Sequence, residues 1–162
     1  YRQVSAIDPI IARIIIEVTT FIMAYLVIIS IMGWLDFEVI PANILALLMA
    51  SALLVVFGIG IGLMLCVAMS YWQDTSKIVT MCMRPMFFIS GIFFTATMIP
   101  QQYWYLFTWN PIFHALELSR DAFFIAYTSP IGSWEYLSFS ALVSLTTGLG
   151  LFYNNRIRFI SK

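Results

Sequence analysis

The chain has 162 residues, 62% of them hydrophobic and only 10% charged, and its net charge is zero. A soluble globular domain carries roughly 25% charged residues, so this composition excludes a soluble enzyme or binding module and indicates an all-α integral membrane protein. The neutral balance implies neither nucleic acid nor a strongly acidic partner.

The first residue is Tyr1 and no signal peptide opens the chain, which reads as part of a longer protein. The opening stretch "YRQVSAIDP" is polar and basic, with Asp8-Pro9 placed to start a helix directly before an apolar run. Taken by itself it is a juxtamembrane anchor whose Arg2 meets anionic lipid.

About 20 apolar residues cross a bilayer. The first predicted span is about 11–34. Its charges, Arg13 and Glu17, lie four residues apart in the first two turns, where they can pair and reach the interface. The acidic loop "LDFEVIPAN" follows, and Pro41 and Asn43 mark the restart. The second span is about 42–70, within a stretch that carries no charge between Glu38 and Asp74. It contains Gly58, Gly60 and Gly62 in "GIGIGLMLCVAMS". No Gly-Lys-Ser/Thr follows, so this is not a phosphate loop. Small residues inside a membrane helix let another helix approach closely.

The third predicted span is about 78–98, entered through Lys77 and Arg84-Pro85. The fourth is about 136–153 and ends in "YNNRIRFISK". Cys66 and Cys82 sit in apolar surroundings without metal-ligand spacing and read as small core residues. No Walker motif, catalytic triad, zinc motif or paired-carboxylate spacing occurs. The chain is therefore expected to hold no catalytic residue and no metal, and not to hydrolyse nucleotides by itself.

Residues 99–135 could be taken for a fifth span, but charge placement argues otherwise. With four spans both chain ends face the same side, and Arg2, Arg13, Lys77, Arg84, Arg156, Arg158 and Lys162 all lie on or near it. That side is then cytoplasmic by the positive-inside rule, with Arg120 as the exception. Residues 101–127 are accordingly predicted to form a re-entrant or interfacial helical pair on the outer side. Irregular backbone at membrane depth survives only against protein or a water-filled cavity.

Within that pair, "NPIFHALELSRDAFF" spans residues 110–124. Asn110 is a good N-cap and Pro111 suits the first helical position, which predicts a short helix over 111–125. His114, Glu117, Arg120 and Asp121 recur at three- and four-residue spacing and form a polar stripe. The other face carries Ile112, Leu116, Phe123 and Phe124. The stripe is either a self-satisfied Glu117–Arg120 pair that fixes the hairpin or the lining of a polar gate; charges at membrane depth lean towards function. Upstream, "QQYWYLFTWN" concentrates Tyr103, Trp104, Tyr105, Phe107 and Trp109. This is an aromatic belt at the outer interface, or a surface on which sugar rings stack.

The stretches "YRQVSAIDPIIARIIIE", "SGIFFT" and "NPIFHALELSRDAFF", with a basic tail, resemble the C-terminal half of ABC-2 type transport permeases. Among these, the chain is most similar to the capsular-polysaccharide export permeases of Gram-negative bacteria. The resemblance covers almost the whole chain. It implies a six-span fold with a periplasmic re-entrant pair between the last two spans, of which this chain holds four spans. The amphipathic N-terminal helix and first two spans of the family lie outside the resemblance.

The resemblance also implies a homodimer in the bacterial inner membrane, driven by a separate ABC ATPase subunit that carries ATP and Mg, with a lipid-linked polysaccharide as cargo. Residues 1–10 would be the coupling segment, with Arg2, Gln3, Val4, Asp8 and Pro9 resting on the ATPase. Tyr103, Trp104, Trp109, His114, Glu117 and Arg120 would line the substrate pathway or its gate. Other readings are the same fold exporting O-antigen, teichoic acid or a small drug, and a membrane scaffold or assembly protein without transport. An ion channel fits less well, because no filter motif is visible.

Overall fold

The computed structural model describes residues 8–35, 40–72 and 74–160. Every regular element among the described residues is helical. The chain divides into two compact units, residues 1–40 with 156–162, and residues 41–155.

The first unit is built on α1, Asp8–Trp34. Asp8 lies in its first turn, at the positive end of the helix dipole. Arg13 and Glu17 form an i,i+4 ion pair in which both side chains are well exposed. Thr20 and Ser30 return their hydroxyls to the carbonyls of Ile16 and Leu26, each at 2.8 Å. These local bonds satisfy polar groups for which a hydrocarbon surrounding has no partner. Ile15, Phe21, Leu26 and Ile31 are all exposed, and a helix apolar on every side suits lipid contact. Of the expected coupling residues, Arg2, Gln3 and Val4 lie outside the described residues, while Asp8 and Pro9 open α1.

The second unit begins with α2, Ile44–Tyr71. Asn43, the expected restart, is its N-cap, and the Asn43 side chain accepts the Ala46 N–H at 3.1 Å. At about 1.5 Å per residue α2 is long enough to cross a bilayer. α3 is Thr75–Ile89, with Pro85 inside it. Two short 3₁₀ segments follow, Ala96–Met98 and Gln101–Leu106. Then come α4, Pro111–Phe123, and α5, Trp134–Ile160.

α2 and α5 run parallel and touch through their backbones. The Ser144 hydroxyl donates to the Phe57 carbonyl at 2.9 Å, and the Tyr71 hydroxyl donates to Asn155. Between these contacts, a Cβ on Gly60 would run into the backbone of Ser144, and one on Gly148 would lie 2.5 Å from the Gly60 oxygen. Of the three glycines singled out in α2, only Gly60 makes this close approach; a Cβ on Gly58 or Gly62 would meet nothing within 4 Å. α4 lies antiparallel to the first half of α2. Asn43 N–H bonds to Ala122 O at 2.9 Å, Ala50 shares a core cluster with Ala115, Leu118 and Leu137, and Phe57 and Pro111 line one cavity. That cavity, about 320 Å³, lies between α2 and α5 just past the start of α4.

Among the described residues, three helical stretches are long and apolar enough to span a membrane, Ile11–Trp34, Ile44–Tyr71 and Trp134–Asn155. The predicted third span at 78–98 is α-helical only to Ile89, and α3 has 15 residues. The reason is local. Ser90 is the C-cap, and Gly91 adopts φ of 78°, the left-handed conformation that ends helices at glycine. α4 likewise stops two residues short of the predicted 125, because Phe124 is extended. α5 runs past the predicted 153, since no glycine or proline follows Gly150 and Asn155 bonds back to the Leu151 carbonyl at 2.8 Å.

Candidate functional site

The polar residues of α4 converge on its inner side. Asn110 caps the helix by accepting the Ile112 N–H at 3.0 Å, and Pro111 occupies the first turn. The sequence suggested a polar stripe opposite an apolar face. The structure turns the stripe inward: His114 and Glu117 are buried, while Phe124 is 56% exposed. Burial of a carboxylate demands partners, and Glu117 has four. Its Oε1 accepts from Arg120 Nη1 at 3.0 Å and from the Ala96 N–H at 3.1 Å. Its Oε2 accepts from the Tyr127 hydroxyl at 2.6 Å and from Ser129 Oγ at 2.9 Å.

Arg120 does more than neutralise Glu117. Its guanidinium donates to the carbonyls of Phe94 at 2.8 Å, Ile92 at 3.2 Å and Gly91. These carbonyls belong to the turn that leaves α3, so one fork of donors ties α3's end to α4. Phe94, whose carbonyl takes one of these bonds, packs with Phe107 and Phe113 ring to ring at 5.3–6.3 Å.

His114 makes a second joint. Its Nε2 lies 2.7 Å from the Thr108 carbonyl, and its Nδ1 lies 3.2 Å from the Ser133 N–H. The ring of Tyr136 sits 4.8 Å away, centroid to centroid, and the Tyr136 hydroxyl donates to the Trp109 carbonyl at 2.6 Å. The Nδ2 of Asn110 is buried with no acceptor among the described residues.

The aromatic residues behave differently from one another. Trp104 is half-buried, and its indole N–H donates to the Ile99 carbonyl at 2.9 Å. Tyr103, Tyr105 and Trp109 are exposed. The structure therefore joins Glu117 and Arg120 in one network and gives His114 a separate joint with Thr108 and Ser133, while Tyr103 and Trp109 stay exposed and Trp104 is fastened to the loop. Tyr127, Ser129, Ser133 and Gly91 were not anticipated as parts of this site. Burial pushes the Tyr127 phenol up to about 12, with the Glu117 carboxylate reinforcing the shift. No group of histidine, cysteine or acidic residues suited to a metal ion occurs among the described residues.

The sequence profile of the ABC-2 type transporter family matches residues 2–124. The polysialic acid transport protein KpsM of Escherichia coli is 36% identical over 153 residues, covering 94% of this chain and 59% of that protein. The capsule polysaccharide export inner-membrane protein CtrC of Neisseria meningitidis serogroup A is 30% identical over 154 residues, covering 93% of this chain and 57% of that protein. The capsule polysaccharide export inner-membrane protein BexB of Haemophilus influenzae is 27% identical over 157 residues, covering 95% of this chain and 58% of that protein. The chain thus spans less than two thirds of the length of these relatives.

Proposed function

The chain belongs to the ABC-2 type transporter family, and on that premise we propose that it is the membrane-spanning permease part of an ATP-driven exporter of capsular polysaccharide. The observation that carries this reading is its likeness, over nearly its whole length, to proteins named for polysialic acid or capsule transport. The protein works in the bacterial inner membrane as a pair of copies. ATP and Mg are held by a separate ATPase subunit, and the chemistry in the permease is non-covalent. The cargo is a lipid-linked polysaccharide.

In this reading α3 is the remaining span, making four. The parallel course of α2 and α5 supports it: two spans with the same direction require an odd number of crossings between them, and α3 leads from the end of α2 back to the Arg120 contact on α4. Residues 101–127 form the outer re-entrant pair. The place of Pro111 beside Phe57, halfway along α2, supports that depth. Both ends of the chain are cytoplasmic, and residues 1–10 couple to the ATPase through Arg2, Gln3, Val4, Asp8 and Pro9. Tyr103 and Trp109 meet the glycan on the exposed face. Trp104, His114, Glu117 and Arg120 hold that face in place and so set the gate.

The test is complementation. A capsule-forming Gram-negative host lacking its own export permease receives the full-length protein with its ATPase, and surface polysaccharide is quantified. Restoration is expected, and inactivating the ATPase should abolish it. Normal membrane levels and ATPase assembly without any surface polysaccharide would overturn the reading.

A further inference from the structure

We propose that the joint between α4 and α5 is a proton-sensitive latch in which His114 is the titrating group. The inference rests on the joint alone and holds whatever cargo the protein moves. The two contacts of the ring fix its protonation. The Thr108 carbonyl, 2.7 Å from Nε2, can only accept, so Nε2 carries the proton. The Ser133 N–H, 3.2 Å from Nδ1, can only donate, so Nδ1 offers its lone pair. The closed joint accommodates the neutral ring alone.

A second proton, taken from solvent onto Nδ1, sets N–H against N–H. The repulsion falls on the residue that starts α5. The Ser133 side-chain oxygen accepts the Tyr136 N–H at 3.3 Å, and its carbonyl accepts the Leu137 N–H at 3.2 Å. A cationic ring there would also face the amino end of α5 while lying in the first turns of α4. Both are the positive ends of helix dipoles.

Among the described residues, none nearby is placed to absorb the new charge. On α4, Glu117 is buried and already holds Arg120, Tyr127, Ser129 and Ala96, and Asp121 lies two turns along. On α5, Tyr136 packs against the ring and Glu135 is exposed. The 96–110 segment carries no charged residue, its titratable groups being Tyr103 and Tyr105, and α2 carries no charged residue between Ile44 and Tyr71. Acidification therefore releases Ser133 from α4 and frees the amino end of α5.

The experiment is amide hydrogen exchange on the full-length protein in lipid nanodiscs, where both faces meet the same pH. Exchange of a peptide covering residues 131–137 is compared at about pH 8 and about pH 5, the range in which imidazole changes charge, after correction for the intrinsic pH dependence. The corrected rate should rise at least about fivefold on acidification, the change expected from losing one hydrogen bond of ordinary net strength. A peptide within residues 44–57 should not change. His114→Gln, which keeps a donor and an acceptor but does not titrate, should leave the 131–137 rate flat. Equal corrected rates in the wild type, equal acceleration in the 44–57 peptide, or acceleration persisting in His114→Gln would each overturn the proposal. The first two outcomes need no variant, so the proposal stays testable even where His114→Gln folds poorly.

Discussion

The ring of Phe113 occupies the space that a side chain on Gly91 would need, with its Cδ2 2.6 Å from where a Cβ would stand. Gly91 also has φ of 78°, where a non-glycine residue costs about 1–2 kcal/mol. Forcing volume into a packed site adds about 1–3 kcal/mol. Gly91→Ala should therefore lower the thermal stability of the purified protein and its level in the membrane. Combining it with Phe113→Leu should recover the steric part and leave the backbone part. A Gly91→Ala protein as stable as the parent would show that the turn is not constrained in this way.

Breaking a buried ion pair on one side costs about 3–5 kcal/mol, because a lone charge remains. Glu117→Gln and Arg120→Gln should each destabilise by that order, read from detergent melting curves. From spacing alone, replacing both residues would be expected to restore folding. The structure changes that expectation. Arg120 also serves the carbonyls of Gly91, Ile92 and Phe94, and Glu117 also serves Ala96, Tyr127 and Ser129. The double variant leaves several of these without partners, at about 1–3 kcal/mol for each unsatisfied buried group. It should remain clearly less stable than the parent; full recovery would mean that the pair acts alone.

Tyr127 offers a readout of the same network through pH. Its phenol is pushed up to about 12 in the folded protein, against 10.0 for an ordinary tyrosine. Between those values the unfolded chain has lost the proton and the folded chain has kept it. Stability from this group is therefore fully present below pH 10 and is lost as pH rises through 12. Tyrosinate absorbance, taken as the difference between parent and Tyr127→Phe, should show Tyr127 ionising at about 12. Ionisation of Tyr127 at its ordinary value of 10.0 would refute the assignment.

Glycine substitutions should separate two faces of α2. Gly62→Ala meets open space and replaces glycine inside a helix, a change that stabilises by about 0.5–1 kcal/mol. Gly60→Ala drives a methyl into the backbone of α5 at Ser144 and should destabilise by about 1–3 kcal/mol. Opposite signs in parallel melting experiments are the expected result. Equal effects would place the crossing of α2 and α5 elsewhere.

The two tryptophans should also part company. Trp104→Leu loses the indole bond to the Ile99 carbonyl, worth about 1 kcal/mol net, and should reduce membrane levels along with export. Trp109 is 54% exposed, so Trp109→Leu should leave levels unchanged and lower surface polysaccharide. Unchanged export in Trp109→Leu at normal levels would return this residue to a purely interfacial role.

Much of this was legible in residue order because apolar runs and caps act locally. Asn43 and Asn110 announce the starts of α2 and α4 through side chains that bond within three residues. The Arg13–Glu17 and Glu117–Arg120 pairs follow from helical spacing alone. The end of α3 was less legible. "SGIFFT" reads as a continuing apolar span, and its glycine does not by itself announce the left-handed φ that Gly91 adopts; the Arg120 fork, reaching back 29 residues to Gly91, holds the turn in place. The inward direction of the α4 stripe was hidden for a similar reason. Burial of Glu117 depends on Tyr127 and Ser129, which follow it by 10 and 12 residues, and no periodicity links positions in a helix to positions in a later loop.

The four donors on Glu117 arrive at different moments in the life of the chain. Ala96 is synthesised before the carboxylate, Arg120 immediately after it, and Tyr127 and Ser129 later still. A fragment ending just past Arg120 contains the two donors for Oε1 and lacks the two for Oε2. For anyone dividing this protein into complementing fragments, a break between Ala96 and Ser129 separates an acid from groups that make its burial tolerable. A break beyond Ser129 keeps all four donors with Glu117 on one fragment.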